Sequence, residues 1–406
     1  MDNVTHALAG CLIGAATIEI ARRRTRAEPS LAFRRAAYLV GVITAELPDA
    51  DLVYAGDRLG MGSLGYLLHH RGHTHTVLFA LVAALVVWLA TIAVRPSLRA
   101  RESAAPLLGL ALVGTLSHIA LDFTNSYGVH PWWPLDNRWF YGDAVFIIEP
   151  WLFVAGLPPL FLIARSIPGR VLAGVLLALI LGLAWRVDMV SRGVAVALTI
   201  GAVLWFTIVR MLPEGRRAAT AVALWIGLEC MFFVASGVGR GIVERSVGET
   251  LRDVVLTPAP GNPFCLSGLT VTETGDEYAA TSVTVAPFAS VHPVAACSGS
   301  SRTAVEGERA SQVNTSSIRW GDAWTGRVSE LRELAHTNCE VAAGLRFMRV
   351  PVWRRGPEGR VTLFDQRFSD GGGGFASIVA SASPSTCPRF IPPWKWPRAD
   401  ILGPAP

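Results

Sequence analysis

The chain has 406 residues, 51% hydrophobic and 17% charged, where soluble domains carry about a quarter charged residues. Its mean hydropathy of +0.40, with the apolar residues crowded into blocks before residue 238, excludes a wholly water-soluble protein. The net charge of +5 and pI near 9.1 call for no nucleic-acid partner, because short loops between apolar blocks hold most of the arginines.

A membrane span needs about 20 mostly apolar residues. Eight stretches qualify: 3–21, 36–54, 74–94, 106–126, 144–164, 171–185, 193–212 and 218–238. The sixth is short and the second ends in Pro48-Asp49-Ala50-Asp51. The first has no basic flank before it and arginines after it, which reads as an uncleaved span and not a signal peptide. Arg22, Arg23, Arg24, Arg26, Arg34 and Arg35 follow it; Arg95, Arg99 and Arg101 follow the third; Arg165, Arg170, Arg216 and Arg217 fall on the same side. The opposite loops are poorer in arginine: Arg58 and Arg138, then Arg186 and Arg192. The positive-inside rule then puts the N-terminus outside, and eight crossings make the C-terminal part extracytoplasmic. The location predicted is the plasma (inner) membrane, multi-pass.

The expected fold is mainly α. A polytopic transmembrane helix bundle of about eight spans covers residues 1–238, a linker 239–262, and a small α+β extracytoplasmic domain 263–406. Around 257–263 the chain is rich in Pro and Gly. Alternation at 282–285 predicts a strand, residues 327–343 a helix, and 347–353 and 361–368 further strands. Residues 371–374 are a glycine run expected to be a flexible break, and the domain reads as a lid or partner-binding module. Cys11 and Cys230 lie within spans, whereas Cys265, Cys297, Cys339 and Cys387 all fall in the polar domain. An even set on an oxidising side predicts two disulfides, with three connectivities open.

Ionisable residues gather at the ends of the apolar blocks: His6, Asp49 and Asp51, the run His69-His70-Arg71-Gly72-His73-Thr74-His75, then His118 and Asp122. Such groups are costly in hydrocarbon and need a partner; a divalent metal suits imidazole and carboxylate together. Under the N-out topology, four segments deliver them to one membrane face. His118 and Asp122, four apart, share a helix face. Asp49 and Asp51 converge in a turn that Pro48 favours. His70 and His75 diverge by about 140° on an ideal helix, so Gly72 is expected to bend the run, with the third span starting near Thr74. His69 and His73 are an alternative pair. Taken singly, His6 or His130 reads as an interfacial histidine, Asp-x-Asp as an ordinary turn, and His292 and His336 as surface histidines.

These residues carry a resemblance. The opening Met-Asp-Asn-Val-Thr-His-Ala-Leu-Ala-Gly, then Leu-Pro-Asp-Ala-Asp, His-Arg-Gly-His-Thr-His-Thr and Ser-His-Ile-Ala-Leu-Asp-Phe-Thr-Asn-Ser-Tyr-Gly resemble the membrane-bound metal-dependent hydrolases of the YdjM-like group. The motifs cover about residues 1–150, with looser counterparts at Pro131-Trp132-Trp133-Pro134, Glu149-Pro150, Asn262-Pro263 and 363–368. The resemblance implies His6, Asp49, Asp51, His70, His75, His118 and Asp122 as metal-site residues, with Arg71 beside them. His73 sits at a variable position, and Glu149 stands where Asp is expected.

Four histidines and three aspartates exceed the four ligands of one zinc. Either some donors orient others, or two ions share a bridging carboxylate; the reading favoured from sequence is dinuclear, bridged by Asp49 or Asp51. The expected cofactor is a divalent metal, zinc, as one or two ions. It would supply hydroxide at neutral pH, with an aspartate (Asp49 or Asp51) taking the proton. Arg71 suits an oxyanion, or else an ion pair with one of the aspartates. The expected partners are membrane lipids and a lipid-like substrate, and the expected reaction is hydrolysis of a lipid or lipid-linked ester, foremost a phosphoester. A divalent-cation transporter is a rival, with Glu19 and Glu149 as its candidate path. A metal-stabilised sensor or structural protein is another.

Overall fold

The computed structural model describes residues 1–56, 61–297, 308–309, 312–369, 374–383 and 387–404. Its N-terminal part is built of α1 (Asn3–Thr25), α2 (Leu31–Glu46), α3 (Leu52–Ala55), α4 (Ser63–His69), α5 (Val77–Val94), α6 (Arg101–Phe123), α7 (Pro150–Ile163), α8 (Ile167–Ala184), α9 (Arg192–Met211) and α10 (Arg217–Val247). Short polar side chains start many of them. Asp2, Ser30, Thr76, Ser166 and Ser191 each accept from a backbone N–H in the first turn of α1, α2, α5, α8 and α9.

A helix stands at each of the eight expected spans. Among the described residues six, α1, α5, α6, α8, α9 and α10, are long and apolar enough to cross a membrane. α2 has 16 residues because Pro48 opens a 3-10 turn, Leu47–Asp51. α7 has 14 and starts only at Pro150. The expected start of that span, 144–149, belongs to an irregular stretch after α6 that holds the bridge Val129–Phe140. Small residues bring α1, α2 and α6 together: a Cβ on Gly10 would collide with the Gly41 carbonyl, and one on Gly114 with Thr44 Oγ1.

The expected linker is ordered. Residues 239–247 are the last turns of α10, and β1 (Leu251–Ala259) and β2 (Asn262–Thr274) form a hairpin around Gly261, whose φ of +71° suits glycine. With β3 (Glu277–Val285), β4 (Glu308–Arg309) and β5 (Ile318–Arg327) they make an antiparallel sheet of order β1-β2-β3-β5-β4. The helix expected over 327–343 is two: α11 (Val328–Thr337) and α12 (Cys339–Gly344). Asn338 between them takes an extended conformation and caps α12 through Glu340 N and Val341 N. β6 (Pro351–Arg355), β7 (Val361–Asp365) and β8 (Ser377–Ala380) form a second sheet, and α13 (Ala399–Leu402) closes the fold. The disulfides pair Cys265 with Cys297 and Cys339 with Cys387. Arg58 and residues 371–373 of the glycine run lie outside the described residues.

The sheet domain is docked on the helical part. One hydrophobic core joins Leu64, Leu67 and Leu68 of α4 and Trp139 to Phe347, Trp353 and Trp394. Trp394 Nε1 donates to the Leu68 carbonyl at 2.7 Å, and Trp139 Nε1 to the Arg346 carbonyl at 2.6 Å. Beside it runs a buried charge network. Arg349 reaches both oxygens of Asp143 (3.0 and 2.8 Å) and both of Asp253 (2.6 and 2.9 Å). Arg240 adds a bond to Asp143 at 3.1 Å, and Arg398 one to Asp253 at 3.2 Å. Burial alone would lower the Arg349 guanidinium; the two carboxylates override it and hold it above its ordinary value. Burial likewise pushes the Asp253 carboxyl up, and its arginines outweigh that and hold it below the usual carboxylate range.

Candidate metal centre

Antiparallel connection brings four helix ends to one end of the bundle: the starts of α1 and α5 and the ends of α2 and α6. His6 comes from the second turn of α1, Asp49 and Asp51 from the turn after α2, and His118 and Asp122 from the last turns of α6. The histidine run is no helix, so helical spacing does not separate His70 from His75. α4 stops at His69, Arg71 takes φ +60°, and two turns follow, Gly72 N to His69 O (3.2 Å) and His75 N to Gly72 O (3.1 Å). α5 begins at Val77, three residues past the expected Thr74.

His118 Nδ1 lies 2.5 Å from the Ala45 carbonyl oxygen and donates to it, which leaves Nε2 bare toward the centre. His75 is held in the same way, its Nδ1 facing Asp51 Oδ2 at 3.3 Å and Thr74 Oγ1 at 3.0 Å. The two Nε2 atoms are 3.1 Å apart. His75 Nε2 is 3.4 Å from Asp49 Oδ1 and 3.0 Å from Asp122 Oδ2; His118 Nε2 is 3.4 and 3.5 Å from the same oxygens. Both oxygens are buried without a well-formed hydrogen bond. Five edges of a four-atom cage therefore measure 3.0–3.5 Å. A tetrahedral ion with bonds of about 2.0–2.1 Å sets its donors about 3.3–3.4 Å apart. Nitrogen and oxygen lone pairs, shut away from water, fit a divalent cation in both distance and chemistry.

The other predicted residues surround this cage. Asp51 is fully occupied: Oδ1 pairs with His70 Nδ1 at 2.9 Å, and Oδ2 accepts from Arg71 N at 3.0 Å and Thr74 Oγ1 at 2.8 Å. It orients two imidazoles. His6 stacks on His118, ring centroids 3.8 Å apart, and its Nε2 faces Asp122 Oδ1 at 3.2 Å. That oxygen also meets the Met1 amino group and Arg71 Nη2, the latter at 2.9 Å. Arg71 is thus in the ion pair that was its alternative reading, and Nη1 donates to Asn125 Oδ1 at 2.9 Å. Asp49, Asp51 and His70 form a second potential ligand group sharing Asp49 with the first.

A cavity of ≈ 410 Å³ opens on Asp49, His70 and Arg71. Tyr66, Tyr127, Phe368 and Phe375 line it, the last two from the sheet domain. Leu52 and Ile147, both exposed, lie at its edge.

Residues 1–190 match the YdjM inner membrane protein family. Every predicted metal-type residue of the bundle falls inside that YdjM-family region, and the sheet domain lies outside it. With six helices long and apolar enough to cross a membrane among the described residues, the chain is a membrane protein. Neither a curated protein nor a solved structure matches it.

Several histidines stand apart from the cage. His73 packs between Trp133 and Trp394, and His69 edges Tyr54. His130 stacks on Trp394 with centroids 3.7 Å apart; burial pushes its pKa down to about 3, so it is neutral at pH 7. His336 is exposed on α11. His292 approaches Cys265 and Cys297, whose sulfurs are spent in a disulfide. Sequence reasoning missed Asn125, Thr74 and the Asp143–Arg349–Asp253 network. Asn125 and Thr74 adjoin the motifs and could have been found there; the network joins distant segments and left no local signal.

Proposed function

We propose that the YdjM-family region is a metal-dependent hydrolase acting on a lipid or lipid-linked ester, foremost a phosphoester, at the outer face of the inner membrane. The observation that carries this is the cage of His75, His118, Asp49 and Asp122, whose mixed nitrogen and oxygen donors suit zinc. One ion accounts for the cage, since Asp51 and His70 already bond each other. A zinc ion there would contribute Lewis acidity and a nucleophile at neutral pH. With Asp51 saturated, the proton acceptor in this reading is His70, whose Nδ1 Asp51 orients and whose side chain lines the cavity. Arg71 is a positioning residue that holds Asp122. The exposed apolar edge at Leu52 and Ile147 supports a substrate that keeps its tail in the bilayer. Arginine distribution and two disulfides support an N-terminus and sheet domain outside the cytoplasm.

The transporter reading has less support. Glu19 accepts from Ala218 N and Ala219 N at the start of α10, and Glu149 from Trp151 N and Gly261 N, so both carboxylates are consumed as caps. The test is purified full-length protein in nanodiscs, assayed for metal content and for turnover of phospholipids and lipid phosphates, beside His70→Gln. Expected are one zinc per chain in both, with turnover in the wild type and at least 100-fold less in His70→Gln. Metal without turnover on any lipid would leave a metal-stabilised sensor or structural protein.

A further inference from the structure

A second cavity, of ≈ 540 Å³, is a crevice between α1–α2 and α7–α8, away from the cage. It reaches from Val4 in the first turn of α1 to Arg165 just beyond α7. The 14 residues of α7 span roughly 21 Å at 1.5 Å per residue, more than half of the ~30 Å hydrocarbon core. Its walls are apolar, among them Leu8, Phe153, Leu157 and Leu172. Its end is not. Arg34 and Arg35, from the first turns of α2, and Arg165 line the crevice there, and no acidic residue does among the described ones. Arg22, Arg34 and Arg165 share Glu28, a half-exposed carboxylate 2.8, 4.0 and 3.5 Å away. Arg22 and Arg165 also approach Glu214, at 4.0 and 3.9 Å, and Arg35 takes part in none of these ion pairs among the described residues. The crevice also ends at the first turn of α8, the positive end of its dipole.

We infer that this crevice binds one anionic phospholipid from the leaflet on the arginine-rich side. One of its two acyl chains lies along Leu8, Phe153 and Leu157, and its phosphate meets Arg34, Arg35 and Arg165. A long apolar groove ending in an excess of positive charge, four arginines against Glu28 and Glu214, complements that molecule at both ends, whereas an apolar partner helix would leave the excess unmatched.

The experiment is native mass spectrometry of the full chain, partly delipidated and titrated with phosphatidylglycerol and phosphatidylcholine of equal chain length. The wild type should retain one phosphatidylglycerol in preference to phosphatidylcholine. Arg34→Gln/Arg35→Gln should weaken that lipid by about 30-fold, while Arg24→Gln/Arg26→Gln, outside the crevice, changes it little. Leu172→Trp, at a position 60% exposed and therefore tolerant, should exclude both lipids by filling the groove. Retained metal serves as the folding control. Equal affinity for the two lipids, an effect no larger in the crevice pair than in the control pair, or a second protein copy cross-linked across α8 would overturn the proposal.

Discussion

Among the described residues, two of the buried clusters that place arginine against aspartate differ in what is left over. Around Arg349, four carboxylate oxygens face guanidinium nitrogens at 2.6–3.0 Å, and the charges close among themselves. Around Arg71, Asp122 spends only Oδ1 on the arginine, and its Oδ2 joins Asp49 Oδ1 and two bare imidazole nitrogens. The first is a finished joint between the sheet domain and the helices. The second is a set of donors prepared for something else. Burial beside a counter-ion therefore does not distinguish structure from function; unspent lone pairs aimed at one point do.

The comparison breaks if the two clusters respond alike to mutation. His118→Ala removes a cage donor and should reduce bound metal from about one per chain to near zero, read by elemental mass spectrometry, while the sheet domain stays docked. Arg349→Met leaves Asp143 with Arg240 alone and Asp253 with Arg398 and a distant Arg240, and should destabilise the docked state by about 3 kcal/mol, the low end for a broken buried pair. Limited proteolysis between α10 and the sheets would report it, with metal content retained. Asp51→Asn keeps the volume but weakens the hold on His70 and His75. It should lower metal affinity by about 10–100-fold, measured by chelator competition, with no change in proteolysis. Metal lost on Arg349→Met as readily as on His118→Ala would make the two clusters one cooperative unit.

How much of this was legible beforehand depends on range. The cage residues stood out because ionisable groups inside apolar blocks are conspicuous, and His118 and Asp122 are a local pair on one helix. Their division of labour was not legible. Counting seven donors favours two ions; the structure adds that Asp51 bonds His70, Arg71 and Thr74 and that His6 stacks on His118 and meets Asp122, while Asp49, Asp51 and His70 form a second potential ligand group. At 239–262, where a linker is expected, the chain is helix and strand. The shift to a polar sequence after residue 238 does not interrupt α10, which continues to Val247.

By itself the sequence determined the membrane class, the helix positions, the segregation of arginines and the residue types able to bind a cation. These follow from composition and short-range periodicity, which each segment expresses alone. Only the tertiary structure decided which lone pairs remain free, which cysteines pair and how the sheet domain seats over the helices. Each of those is a contact between segments tens to hundreds of residues apart, and its energy depends on geometry that no local pattern encodes.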